Sequence, residues 1–276
     1  MRKKKEIATD FYTCLQPLMQ CPLCGSSFKA NELLTCDNQH HFTMNKQGFF
    51  HFVNNVPHND YNKEMLTNRR YVIRSGLYDK VLAEIAKHFP QKMNLFIDAG
   101  AGEGSFMDLL DLSCLQWGID LSKDGISLAS DYNTMYQGFA VADLTKVPLK
   151  DSSVDCILNF LSPAMYEEFN RLLTKKGVLI KVVPGASYLQ EIRSLLYTGT
   201  KKENYDNKQV INHFQDKMQI ITTQKVIYKK KLTTDVRDAL WQMSPLSWHA
   251  NIDDHIKQQL QEITIDLEIL VGQKKK

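Results

Sequence analysis

The chain has 276 residues, 43% of them hydrophobic and 24% charged, and its 34 Lys and Arg against 31 Asp and Glu give a net charge of +3. That length suits one α/β domain of ordinary size plus a small module, and so modest a charge does not by itself imply a nucleic-acid partner. No run approaches the ~18 uncharged apolar residues of a membrane span, and no apolar segment follows the basic start Met1-Arg2-Lys3-Lys4-Lys5-Glu6, so a cytoplasmic protein without a membrane partner is expected.

The terminal clusters, Arg2 to Lys5 and Lys274 to Lys276, read as solvated tails. The first chemistry appears at Cys21-Pro22-Leu23-Cys24, followed by Cys36 and His40 in a Cys-x2-Cys-x11-Cys-x3-His pattern. Three thiolates and an imidazole at that spacing suit tetrahedral Zn²⁺ in a reducing compartment. His41 is an alternative fourth ligand, although its neighbour Phe42 marks it as a strand position. Four protein ligands leave no open site for a catalytic water, so the metal is expected to hold a scaffold. Phe42, Phe49, Phe50 and Phe52 predict short strands completing this ribbon, and residues 1–56 read as a tail with a zinc-binding module, a kind of scaffold whose commonest partner is nucleic acid. Cys114 and Cys156 read as buried small hydrophobes.

Val56-Pro57-His58-Asn59-Asp60 reads as a linker. A helix is expected over Lys63 to Tyr71, a break at Ser75-Gly76 and a second helix over Tyr78 to His88, making residues 57–90 a linker and helical lead-in. The clusters Arg69-Arg70 with Arg74, and Lys229-Lys230-Lys231, are compatible with phosphate contacts.

Residues 91–276 form the principal domain. Strand-sized runs at Leu95 to Asp98, Gln116 to Asp120, Met135 to Val141, Asp155 to Leu161, Val178 to Val183 and Gln219 to Tyr228 alternate with helix-sized segments. Such alternation predicts a doubly wound, mostly parallel sheet with its ligand at the carboxyl ends of the strands. At the end of the first run, Asp98 leads into Gly100, Gly102 and Gly104, with Glu103 between the last two. Glycine at alternate positions marks a turn where something bulky approaches the main chain. A dinucleotide fingerprint wants its third glycine at position 105, which is Ser105. Asp-x-Gly-x-Gly-x-Gly instead resembles the S-adenosylmethionine (SAM) motif of class I methyltransferases. Asp98 would fix the loop or meet the methionine amino group. Asp120, 22 residues on, stands where an acidic residue accepts the ribose hydroxyls, with a helix cap as the rival role. In class I methyltransferases the position of Asp143, followed by Leu144, meets the adenine amino group.

The Cys21 to His40 pattern, Arg69-Arg70, Gly76-x-Tyr78 and Leu240-Trp241-Gln242-Met243-Ser244-Pro245-Leu246-Ser247-Trp248 together resemble the bacterial 23S rRNA (guanine-N1) methyltransferases. The resemblance runs from about Cys21 to Trp248. It implies an α/β, Rossmann-like class I core with an N-terminal zinc ribbon, and SAM and Zn²⁺ as cofactors. It also implies a hairpin loop in domain II of 23S rRNA as partner, a homodimer, and in one branch of the family resistance to tylosin-type macrolides. By the same resemblance Tyr78 lies beside SAM, Ser105, Phe106 and Met107 form the turn that contacts it, and Tyr188 stands where relatives carry a cofactor-site His.

Guanine N1 carries a proton at neutral pH and its Watson–Crick edge is hidden in a duplex, so the base must be unpaired and held by stacking, and must lose that proton as the new bond forms or be bound as the tautomer or anion. Phe160, Tyr166, Trp241 and Trp248 are stacking candidates, and Asn159 or Ser162 would bond the base. Asp143, Asp155 and Glu191 are carboxylates open to a base role, none singled out. The competing functions are a class I methyltransferase of a small, quinone-type molecule and a non-catalytic RNA-binding factor with a vestigial SAM fold.

Overall fold

Apolar runs that alternate with amphipathic segments bury themselves most completely when the runs pair as one sheet and the helices cover both of its faces. The computed structural model describes residues 2–29, 33–53, 62–201, 203–248, 250 and 252–275. In chain order its elements are α1 (Lys4–Leu15), β1 (Phe50–His51), α2 (Lys63–Val72), α3 (Asp79–Ala86), β2 (Leu95–Ala99), α4 (Ser105–Leu110), β3 (Leu115–Asp120), α5 (Lys123–Ala129) and β4 (Gln137–Val141). There follow β5 (Val154–Phe160), α6 (Tyr166–Leu172), β6 (Leu173–Pro184), α7 (Gln190–Tyr197), α8 (Lys208–Lys217), β7 (Met218–Lys231), α9 (Thr234–Met243), α10 (Asp254–Gln259) and β8 (Glu262–Lys274).

Among the described residues the strands run in the order β1-β4-β3-β2-β5-β6-β8-β7. Pairs from β1 through β6 are parallel, whereas β8 is antiparallel to both β6 and β7. This is the Rossmann-like class I methyltransferase fold. The chain order reverses between β2 and β5, and the crevice above that switch point is where an open α/β sheet binds its ligand. The glycine turn leaves the end of β2, and Leu161-Ser162-Pro163 leaves the end of β5.

Two apolar cores lie on opposite faces. One packs Val81, Ile85, Phe106, Ile126 and Leu240 against Phe96, Phe139, Leu158 and Ile180 of the strands. The other packs Phe11, Tyr12, Phe28, Phe169 and Phe214 against Ile97, Trp117, Ala140 and Ile157.

Several expectations change. Most of the N-terminal tail is helix α1, because Ala8, Phe11, Tyr12 and Leu15 fall on one helical stripe and are buried. Gly138 of β4 leaves room for Phe11, whose ring carbon would lie 2.2 Å from a Cβ there. The Tyr12 hydroxyl donates to the Phe139 carbonyl at 2.6 Å and accepts from Trp117 Nε1 at 3.3 Å. The aromatic segment expected to finish the ribbon instead supplies β1, paired in parallel with the edge strand β4. At the C-terminal cluster Lys274 is not part of a free tail, since it ends β8 inside the sheet, paired with Met218. The ribbon is tied to the loop after β4: Met19 bridges Leu149, and Lys150 N donates to the Leu18 carbonyl at 2.9 Å. The linker at 56–60, with the boundary between residues 56 and 57, lies outside the described residues.

Candidate cofactor and acceptor site

The turn after β2 is built from left-handed backbone at Gly100 (φ +89°), Gly102 (φ +56°) and Gly104 (φ +84°). Two of these glycines are also required by packing. A Cβ at Gly100 would lie 2.0 Å from Ser162 Oγ, and one at Gly104 would lie 2.8 Å from Ala129 Cβ. Gly102 differs: within 4 Å a Cβ there would meet only the Arg69 guanidinium, at 3.7 Å. The middle glycine thus faces open space rather than protein, the cradle a bound cofactor requires.

Asp98 is 1% exposed, and its Oδ2 has no hydrogen-bond partner among the described residues. Burial pushes its carboxyl up to about 7, against the opposing pull of Arg69. A buried, unsatisfied carboxylate is costly, so this atom needs a donor from a ligand. Asp120 Oδ2 accepts from Gly102 N at 2.9 Å and its Oδ1 accepts from Ser122 N at 2.7 Å. It pins the glycine turn to the end of β3, and each oxygen keeps a further lone pair. The helix-cap role falls to Ser122, whose Oγ accepts from Gly125 N at 3.1 Å. Asp143 Oδ1 accepts from Thr145 N at 2.8 Å, and Leu144 is half-buried beside it.

The remaining predicted cofactor residues divide. Phe106 stacks on Phe160 with 3.9 Å between ring centres and meets Tyr78 edge-on at 5.5 Å. Tyr78 and Tyr188 share a 2.8 Å hydroxyl contact, and burial raises both phenols. Met107 is fully buried in the core. Glu103 is also fully buried; it accepts from Ser105 Oγ at 2.6 Å and pairs with Arg70 at 3.4 Å. Glu103 and Ser105 therefore brace the turn from behind.

The arginine cluster is directed inward. Arg70 donates to the Leu128 carbonyl and to Asp131, at 2.6 and 3.0 Å, and lies over the Tyr132 ring. Arg74 pairs with Asp108 at 2.7 Å. These contacts clamp α2 and its continuation onto α4 and α5. Arg69 was legible in sequence only as part of a phosphate-compatible cluster; in the fold its guanidinium lies over Phe106 and above the glycine turn. Its position 31 residues upstream of Gly100 gave no local signal of that placement.

Two cavities meet above the switch point. The smaller, of about 280 Å³, is lined by Gly100, Gly102, Asp120, Asp143, Leu144 and Phe160 among others. The larger, of about 690 Å³, takes in Tyr78, Phe106, Tyr166, Lys181, Tyr188 and Met243. Arg69 and Leu161 to Pro163 line both. Of the stacking candidates, Tyr166 lines the larger cavity and Phe160 the smaller, while Trp241 and Trp248 line a separate cleft with Asn62 and Lys257. Asn159 is fully buried and donates both amide hydrogens, to the carbonyls of Ala99 and Pro163, so it braces the wall. Asp155 accepts from Asn94 N and Glu191 from Thr264 N, and neither lines either cavity. That removes both as bases; Asp143 lines the smaller cavity.

In the ribbon, Cys21, Cys24, Cys36 and His40 bring one ligand atom each within 4.8 Å of the others. The Cys24 and Cys36 sulfurs are 3.8 Å apart, and His40 Nδ1 is 3.5 and 3.4 Å from those of Cys21 and Cys36. A tetrahedron with Zn–S of ~2.3 Å and Zn–N of ~2.05 Å has edges of about 3.8 Å between sulfurs and about 3.5 Å from sulfur to nitrogen. The donor set fits zinc. His41 turns away, its Nδ1 2.7 Å from Thr35 Oγ1.

A family model described as "Methyltransferase domain" matches residues 97–180. The chain is 33% identical to the Bacillus subtilis protein named "Putative 23S rRNA (guanine-N(1)-)-methyltransferase YxjB", over 93% of this chain and 97% of that one. It is 27% identical to a protein of Micromonospora griseorubida named "Putative 23S rRNA (guanine-N(1)-)-methyltransferase", over 86% of this chain and 89% of that one. Among solved structures, the YcgJ protein from Bacillus subtilis aligns with 71% of this chain at 17% identity and a TM-score of 0.48, covering 98% of its own length. The protein is thus a SAM-dependent methyltransferase, and the chain belongs to the 23S rRNA (guanine-N1)-methyltransferase family.

Proposed function

We propose that this enzyme methylates N1 of a guanine in a hairpin loop of domain II of 23S rRNA. The observation that carries the reading is the second, larger cavity, joined to the glycine-turn cleft at Arg69 and Leu161 to Pro163, in a chain of this family. Such a chamber is roomy enough for an extruded base and opens onto the cofactor.

When bound, SAM supplies an electrophilic methyl group on sulfur. Asp98 would take its amino group, Asp120 the ribose hydroxyls, and Asp143 with Leu144 the adenine. Gly100, Gly102 and Gly104 leave room for the methionine end, with Tyr78, Phe106 and Tyr188 on its far side, while Glu103, Ser105 and Met107 hold that wall. Arg69, whose charge offsets those of Asp98, Glu103 and Asp120, would meet the methionine carboxylate. Most of the chain's contribution is then proximity and alignment.

Cys21, Cys24, Cys36 and His40 would hold one structural Zn²⁺, and the module over residues 1–56 would present the rRNA hairpin to the cavity. The family resemblance further supports a homodimer, a cytoplasmic site of action and an influence on macrolide response. Incubating the protein with labelled SAM, unmodified rRNA and, separately, a metabolite extract tests the reading. Label in the RNA is expected; label only in small molecules would overturn it.

A further inference from the structure

The cavity assigned to the guanine contains no carboxylate among the described residues that line it. Its charged and titratable walls are Arg69 from α2, Arg193 from α7 and Lys181 from β6, with His213 from α8. Four tyrosines complete this set: Tyr78, Tyr166, Tyr188 and Tyr205. The arginines stay protonated and the phenols hold their protons to high pH. His213 is exposed and set edge-on against the Tyr166 ring.

Lys181 is different in kind. It is 4% exposed, it pairs with no carboxylate among the described residues, and it lies opposite Asn159 across the β5–β6 ladder. Its Nζ donates to Asn159 Oδ1 at 2.6 Å and to the Ser162 carbonyl at 3.0 Å. Ser162 belongs to the strip shared by the two cavities, so the amine stands where acceptor and cofactor meet. A neutral amine has two N–H groups and one lone pair. The two fixed acceptors use both N–H groups and leave the lone pair for the cavity.

We infer that Lys181, as the neutral amine, is the general base that removes the N1 proton of the acceptor guanine. This deepens the guanine-N1 reading and rests on it. The N1–H proton passes to Nζ, and the freed pair on N1 forms the N1–CH₃ bond. The S–CH₃ bond breaks with its electrons going to sulfur, and the resulting ammonium later releases its proton to solvent. Burial alone lowers Lys181 to about 8, so a usable fraction is neutral near neutral pH. Asn159, held by the Ala99 and Pro163 carbonyls, is the positioning residue that aims the amine.

The test is single-turnover methylation of an rRNA hairpin across pH by the full-length protein, with K181M, K181R and H213Q. Wild-type rate is expected to rise with unit slope and level off near pH 8. K181M should lose roughly 10²- to 10⁴-fold at neutral pH and show no levelling there, with SAM Kd and RNA KM changed less than about threefold. K181R keeps the charge but has no neutral form to accept a proton, so it should fail as K181M does; H213Q, which alters a wall of the acceptor cavity, should keep the levelling near pH 8 whatever its rate. Substantial activity in K181R would overturn the base role in favour of a purely electrostatic one, as would an unshifted profile in K181M. Loss of SAM binding in step with activity in both variants would mean a structural residue and also refute the inference. If wild-type enzyme makes N1-methylguanine while K181M is unaffected, the inference fails and the reading stands; if no N1-methylguanine forms, the reading fails first.

Discussion

Asp98 should make SAM binding depend on pH in a range where few carboxylates titrate. Its carboxyl is buried, Oδ2 lacks a partner among the described residues, and burial raises it from the ordinary 3.8 to about 7. At that value roughly one carboxyl in eleven is ionised at pH 6 and about half at pH 7. If the carboxylate is what receives the SAM amino group, affinity should rise about fivefold over that unit, or about 1 kcal/mol. The sign for folding is opposite. The folded, ligand-free protein holds a proton that the unfolded chain has released between pH ~4 and ~7, so its stability declines as pH rises through that window. Calorimetry from pH 6 to 7 on wild type and D98N reads both effects. D98N should bind SAM roughly 10- to 100-fold more weakly at pH 7, from the loss of a charge-assisted bond of ~1.5–3 kcal/mol, and should lack the wild-type slope. Wild-type affinity that is flat over this range, or a D98N that keeps the slope, would refute the assignment.

Three further outcomes are expected. Y12F removes a buried hydroxyl shared by the Phe139 carbonyl and the Trp117 indole, and should cost roughly 1–3 kcal/mol in urea unfolding with an unchanged m-value. G104A forces a Cβ against Ala129 at a φ of +84°, and should weaken both SAM binding and the fold, by about 2–4 kcal/mol in stability. C24S, or chelation of the metal, should release zinc and abolish RNA methylation. Although the ribbon is tied to the loop that follows Asp143, none of the four ligands lines the cofactor cleft, so SAM Kd should change by less than about threefold; equal loss of SAM binding would make ribbon and core one cooperative unit.

The parts of this protein that were legible in sequence are those where local chemistry leaves few choices. Three alternate glycines, an acid at a strand end, and four metal ligands at fixed spacing each announce themselves within twenty residues or fewer. Strand β8 was missed although Ile263, Ile265, Leu267 and Ile269 alternate, because the basic terminus drew the reading toward a tail. The burial of α1 was equally present, as the stripe Ala8, Phe11, Tyr12 and Leu15. Other features depend on tertiary placement. Phe50 looks the same whether it finishes a ribbon or extends a sheet, and Arg70 looks the same facing phosphate or Glu103. Lys181 stood as the lone charge in Val178 to Val183. Its significance depends on Asn159, 22 residues away, lying opposite it across the ladder.

The central claim is the identity of the methylated atom. Mass spectrometry of 23S rRNA fragments from cells with and without the protein tests it most directly. The account predicts N1-methylguanine at one loop position of a domain II hairpin, present with the protein and absent without it. An unchanged rRNA, or a modification at another base or atom, would contradict it.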